Sequence, residues 1–176
     1  EALPVYMPRK KARSIYAYLY DYHPQLRAIA DALLEVDAEV SCHVSGRAEI
    51  TADLTRGGVH LLDEPADLTV TLPHVSVVVS HATMGMAHAA LAAGRPQLVL
   101  PYDLEKDCVA DALENLGVCV PLHSPLEPDD IVRSIEELFE PGSHEDHAAV
   151  SAQAVLAREP TDALAVIVEA CVKLMG

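Results

Sequence analysis

Basic residues are scarce in this 176-residue chain: 12 lysines and arginines stand against 27 aspartates and glutamates, a formal net charge of −15 with the nine histidines neutral. So acidic a surface repels phosphate backbones and anionic lipid, which argues against a nucleic-acid polymer or a membrane surface as partner. Cysteine is limited to Cys42, Cys108, Cys119 and Cys171, with no C-x-x-C pair, which excludes a zinc framework and a disulfide scaffold. Cys42 and Cys119 in apolar runs, and Cys171 on an apolar helix face, are expected to be small buried hydrophobes with reduced thiols. No apolar run reaches the ~18 residues of a membrane span. No G-x-G-x-x-G follows the first strand, which disfavours a dinucleotide dehydrogenase. The chain opens on Glu1 with no secretory leader pattern, so a fragment of a longer, cytoplasmic protein is expected.

What is present is core material. Hydrophobic residues make up 51% of the chain and charged residues 22%, a globular composition large enough for one domain. After an arm over 1–12, with Pro4, Pro8 and Arg9-Lys10-Lys11, strands and helices alternate. Strands are predicted at Ser14–Tyr20, Glu39–Val44, Gly58–Leu62, Val75–Ser80, Gln97–Leu100 and Val118–Leu122. Helices are predicted from His23-Pro24, over Met84–Ala93 with Gly94 as stop, over Leu104–Leu116 ended by Gly117, and from Pro128. Two more are expected, one N-capped by Ser143 with Asp146 three residues on, and a last one capped by Thr161 with a Leu164, Ile167, Val168, Cys171, Val172, Met175 stripe. Apolar strands separated by amphipathic helices give an α/β, Rossmann-like three-layer domain with a mostly parallel six-stranded sheet. In such a sheet ligands bind at the carboxyl ends of the strands.

The specific signal lies between Val77 and Leu122. His81 ends a buried strand and is followed by Ala82, Thr83 and a helix start at Met84. That arrangement turns backbone N–H groups and a positive dipole end toward an anion. Gly85 has no Cβ to hold a phosphate off the backbone, and the His81 ring can donate an N–H to the same anion. Each residue has a structural alternative. His81 can be satisfied by a carbonyl, Gly85 can relieve helix–sheet packing, and His88 is expected to be packed inside its helix. His23 reads equally as a cleft residue and as an N-cap-like histidine. Alternating Tyr16, Tyr18, Tyr20 and Tyr22 read as a half-buried strand face, with Tyr20 or Tyr22 near the cleft as the lesser reading. His144 and His147, three apart, lack a convincing third metal ligand and read as a solvated helix start.

His81, Gly85, Ala90-Leu91, Gly94, Pro96, Pro101 and Leu116-Gly117 fall in register with a pattern of H-G-G-x-G-T, A-x-G-x-P, a Pro-ended strand and a helix closing in L-G. In this the chain resembles the C-terminal donor-binding half of the GT-B glycosyltransferases, in particular the UDP-glycosyltransferase-like group that includes natural-product sugar transferases. Tyr18–Pro24 and Leu104-Glu105-Lys106 are similar to a bacterial subgroup. The resemblance implies one half of a GT-B fold, with 13–176 as the nucleotide-sugar donor-binding domain. His81, Ala82, Thr83, Met84 and Gly85 would hold the donor diphosphate, Glu105 and Lys106 the sugar, and His23 and Tyr22 would border the cleft. It implies glycosyl transfer from a nucleotide diphosphate sugar to an acceptor hydroxyl, with the donor as substrate and no metal or cofactor. A separate N-terminal domain would supply acceptor and base. The chain departs from the pattern at Ala82-Thr83 (two glycines), Met86 (threonine), Ala89 (a ribose-binding glutamate) and Lys106 (glutamine). The alternative is a binding or regulatory module of this fold without catalysis. A nucleotide-sugar epimerase would need further acids and a second domain.

Overall fold

A computed structural model describes residues 3–8, 12–46, 49–157 and 171–173. Six strands form one wholly parallel sheet: β1 (Ser14–Tyr20), β2 (Glu39–Ser45), β3 (His60–Leu61), β4 (Val77–Ser80), β5 (Gln97–Val99) and β6 (Cys119–Pro121), in the order β3-β2-β1-β4-β5-β6. The helices are α1 (Leu26–Glu35), α2 (Thr51–Arg56), α3 (Leu68–Thr71), α4 (Met84–Ala93), α5 (Leu104–Asn115), α6 (Pro128–Phe139) and α7 (Ser143–Leu156). The expected α/β, Rossmann-like architecture is the one observed. No helix among the described residues is long and apolar enough to cross a membrane.

β4 lies at the centre, and its Val77, Val78, Val79 and Ser80 are all buried. β-Branched residues suit a strand covered on both faces. Side chains alternate across the sheet. Ile15, Ala17 and Leu19 of β1 join α1 and α6 in one core layer through Ile29, Leu33, Ile131 and Ile135. Tyr16 and Val78 face the other way, against Leu72, Met86 and Ala90. A third cluster seats α5 and α7 on the same side through Val109, Leu113 and Ala148. Arg95, 1% exposed, sits between layers and donates to the carbonyls of Leu72, Pro73 and Met7 at 2.7–2.8 Å. That guanidinium ties the arm to the turn preceding β4.

Several expected boundaries move. α1 starts at Leu26, because Pro24 and Gln25 form a turn in which the His23 carbonyl accepts the Leu26 N–H. β3 is shorter than Gly58–Leu62, since the Val59 N–H is taken by the Leu54 carbonyl in the turn that ends α2. α2 falls in a stretch expected as loop, and its six residues bury only Leu54. α3 is likewise unexpected. Its β-prone Leu-Thr-Val-Thr is held helical by Asp67, which accepts the Thr69 N–H at 2.9 Å. Ser143 is the first helical residue of α7 and not its cap; Gly142 stands at the cap position. Cys42 and Cys119 are buried as expected, and burial pushes both thiols up to about 12. Cys171 is exposed, contrary to expectation. Thr161, Leu164, Ile167, Val168 and Met175 of the expected last helix lie outside the described residues, as do Arg9, Lys10 and Lys11 of the arm.

Gly94 closes α4 at φ +68, where its N–H returns to the carbonyls of Ala90 and Leu91. A Cβ there would collide with the Tyr6 ring and fall 3.3 Å from Ala152. Gly94→Ala is expected to destabilise the fold by roughly 1–2 kcal/mol through left-handed strain. In a chain of this size that lowers the melting temperature by about 2–4 °C per kcal/mol. An unchanged thermal melt would contradict it.

Candidate functional site

The connections from β1 and β4 diverge, because the sheet order reverses between these two strands. At such a switch point a crevice opens beyond the carboxyl ends of the strands. A cavity of about 960 Å³ occupies it. Tyr16, Tyr18 and Tyr20 of β1 form one wall, Thr83, Gly85, Met86, His88 and Ala89 another, and residues 65–69 with Leu3 and Pro4 of the arm complete it.

The turn into α4 draws on one side chain, the Ser80 hydroxyl, and has no side-chain cap. Ala82, fully buried, is the one non-glycine residue at positive φ (+60) among the described residues. Its N–H reaches the Ser80 hydroxyl at 3.3 Å. Thr83 is the N-cap in extended conformation but makes no side-chain capping bond. The N–H groups of Met84, Gly85 and Met86 precede the bond from Ala87 N–H to the Thr83 carbonyl, the first of the helix. A Cβ on Gly85 would meet nothing within 4 Å, so packing does not require glycine there. Met84 is 65% exposed and Met86 buried. His88, expected inside, is exposed and lines the cavity, because α4 packs through Ala87, Ala90 and Ala93 instead.

His81 follows β4 directly and is 1% exposed. Neither ring nitrogen finds a hydrogen-bond partner among the described residues. Aromatic rings enclose it: Tyr20 at 4.2 Å between centroids, Tyr102 at 5.8 Å and Tyr18 at 6.0 Å. Its basicity falls to about 4, chiefly through burial, then through the charges of His23 and Lys106; Asp103 and the Tyr18 backbone pull weakly the other way. The imidazole is therefore neutral near pH 7 and carries one N–H to give.

Around it stand the other anticipated residues. His23 is buried. Its Nδ1 accepts the Gln25 N–H at 3.1 Å, which leaves Nε2–H to donate to the Leu100 carbonyl at 3.2 Å. It joins the ends of β1 and β5 and meets the Tyr102 ring edge-on at 5.2 Å. Tyr22 is 62% exposed and stacks on Tyr20 at 4.8 Å. Glu105 is exposed in the first turn of α5. Lys106 is buried along its stem; its Nζ lies 2.9 Å from Asp103 Oδ2 and 5.0 Å from the Tyr102 ring centre. Asp103 also caps α5 by accepting the Lys106 N–H at 3.0 Å. That doubly bonded carboxylate is held below its usual range, and Lys106 is raised by the same bond. His144 and His147 turn their Nδ1 atoms to the Gly117 carbonyl at 2.9 and 3.3 Å. Among the described residues no group of three or more His, Cys, Asp or Glu is placed to hold a metal ion.

Sequence reasoning underrated the tyrosines. Tyr16, Tyr18 and Tyr20 lie on the cavity-facing side of β1, and burial raises Tyr16 to about 12 against the opposing pull of the Ala66 backbone. Their alternation was legible, but which strand face meets the crevice depends on the sheet order. Tyr102 and the arm residues Leu3 and Pro4 carried no such signal.

Residues 27–174 match the family model described as erythromycin biosynthesis protein CIII-like, C-terminal domain. Among solved structures, glycosyltransferase VinC in complex with DTDP is similar at TM-score 0.68 and 22% identity, over 82% of this chain and 38% of that one. The spinosyn forosaminyltransferase SpnP is similar at TM-score 0.72 and 20% identity, over 97% and 48%. SnogD from Streptomyces nogalater, also a glycosyltransferase, gives 0.65 and 22%, over 99% and 46%. These likenesses establish the fold, and the chain spans less than half the length of each. A search of curated protein sequences finds no match.

Two measurements probe the geometry. Ala82→Gly relieves left-handed strain of about 1–2 kcal/mol, less glycine's added chain entropy, so a net gain of roughly 0.5–1 kcal/mol in denaturant stability is expected. No gain would mean that Ala82 is unstrained. His81, lowered from 6.5 to about 4, binds fewer protons folded than unfolded. Its contribution, on the order of 3 kcal/mol, is present above pH 6.5 and lost as pH falls through 6.5 toward 4. The lowered His23 acts in the same direction. Urea midpoints should fall across that window in the native chain and fall less in His81→Gln; equal slopes would refute the assignment.

Proposed function

The chain belongs to the family of erythromycin biosynthesis protein CIII-like C-terminal domains, and from that premise we propose that it is the donor-binding half of a glycosyltransferase. The observation that carries the reading is the juxtaposition of a buried, unpartnered His81 with an uncapped helix start and open space at Gly85. Those groups lack acceptors, and a nucleotide diphosphate supplies oxygens to all of them. The nucleoside occupies the crevice along Tyr16, Tyr18 and Met86. Ala89 offers no carboxylate to the ribose there. Glu105, exposed beside Lys106, accepts hydrogen bonds from sugar hydroxyls.

The reaction is transfer of a glycosyl unit from a nucleotide diphosphate sugar to an acceptor hydroxyl. As the glycosidic bond breaks, negative charge grows on the diphosphate. The α4 amides and the neutral His81 N–H, fixed in place beforehand, stabilise that charge more than they stabilise the bound donor. Tyr20, whose ring centre lies 4.2 Å from that of His81, has to turn aside for a phosphate to reach the imidazole. The acceptor and the general base come from a second α/β half, in keeping with the coverage of under half of the solved relatives. No resident cofactor enters this scheme. The buried free thiols Cys42 and Cys119 fit a reducing compartment, and a cytoplasmic location is part of the proposal.

One observation favours a second reading, a module of this fold that keeps the cradle without transfer chemistry: the Tyr20 ring covers His81. Calorimetric titration of the chain with UDP, TDP and their sugars separates the outcomes. Binding is expected for at least one of them, and Gly85→Val should weaken it by about tenfold or more while leaving the melting temperature nearly unchanged. No binding at millimolar nucleotide overturns the donor reading. Binding without turnover in the full-length protein selects the second.

A further inference from the structure

Resting on the donor-binding reading, we infer that Lys106 is the cation for the donor diphosphate, giving up Asp103 for a phosphate oxygen as the donor binds. The inference assigns Lys106 to the leaving group and leaves Glu105 as the contact to the sugar.

Three features of the site point there. First, the Lys106 side chain is only 10% exposed, its stem packed against protein, while its partner Asp103 is 42% exposed. Second, the Tyr102 ring has Nζ at 5.0 Å on one contact and the unpartnered His81 ring at 5.8 Å on another. The ammonium and the imidazole therefore flank one aromatic side chain. Third, the described arginines make their contacts away from Tyr102 and His81. Arg13 pairs with Glu136, Arg27 with Asp31 and Asp53, Arg56 with Asp53, and Arg133 with Asp130. Arg95 is bound to backbone carbonyls.

The electrostatic need is plain. A chain of formal charge −15 repels a diphosphate. A neutral imidazole contributes a hydrogen bond but no charge. Exchange of partners is easy, because a half-exposed ion pair is worth little on its own. Asp103 keeps its other duty when Lys106 leaves, since Oδ1 still caps α5 through the Lys106 N–H.

The test compares UDP or TDP with the corresponding nucleoside, by calorimetry on the 176-residue chain. Lys106→Gln is expected to lose about tenfold in affinity for the diphosphate and nothing for the nucleoside. Lys106→Arg should restore most of the loss. Asp103→Asn, which still caps a helix, should gain about threefold for the diphosphate by freeing the ammonium. A purely structural Asp103–Lys106 pair predicts the opposite sign for Asp103→Asn, and that result would overturn the inference. So would a Lys106→Gln chain that binds the diphosphate as the native chain does, or loses nucleoside and diphosphate equally. A native chain that binds neither nucleotide would overturn the donor reading itself and this inference with it.

Discussion

Every feature of the crevice depends on the reversal of strand order between β1 and β4. β1 feeds α1 and then β2 on one side, whereas β4 feeds α4 and then β5 on the other. The two loops separate, and neither can cover the ends of the central strands. Whatever the chain places there must find partners outside secondary structure. The His81 ring nitrogens and the first amides of α4 are such groups, left over by topology and not by poor packing. An unsatisfied buried group costs about 1–3 kcal/mol. A fold that retains one has a use for it or an unrelieved strain.

Local signals and tertiary placement divide what could be read from the residues alone. α4 with its Gly94 stop and α6 from Pro128 emerge at their observed positions, and β4 emerges with its start two residues early, because burial and termination there are written in adjacent residues. The turn that sets His81 beside the start of α4 was legible for the same reason: a histidine, small residues and a helix start lie within five positions. α2 and α3 were not, since six residues burying one leucine and four β-prone residues held by Asp67 have no period to detect. The role of β1 lay between these cases. Alternation shows that Tyr16, Tyr18 and Tyr20 share a face, but only the pairing with β2 and β4 decides which face meets the crevice. His88 was misplaced on similar grounds, because an alanine-rich helix has no apolar stripe to orient it.

The aromatic packing gives the site its electrical character. Tyr18, Tyr20 and Tyr102 surround His81 with low-polarity surface, and desolvation dominates its lowered basicity. A charged imidazole would have served an anion better by Coulomb attraction but would have cost more to bury. The observed arrangement keeps the ring neutral and locates the nearest ammonium one side chain away, where Asp103 and partial solvent access keep it charged. Hydrogen-bond donor and charge are thus carried by different residues on different elements.

That division makes the departures from the glycosyltransferase pattern intelligible as a set. Met86 and Ala89 remove polar contacts from the α4 wall, and Ala82 accepts a left-handed conformation that glycine would hold without strain. Around His81 and the start of α5, Lys106 carries a charge and Tyr20, Tyr22 and Tyr102 present ring surface. The amides that remain on α4 are backbone groups, which no side-chain substitution short of filling Gly85 removes. A turn made of backbone and one histidine depends little on the side chains of its wall, so the strand–turn–helix geometry stands here with Ala82, Met86 and Ala89 around it.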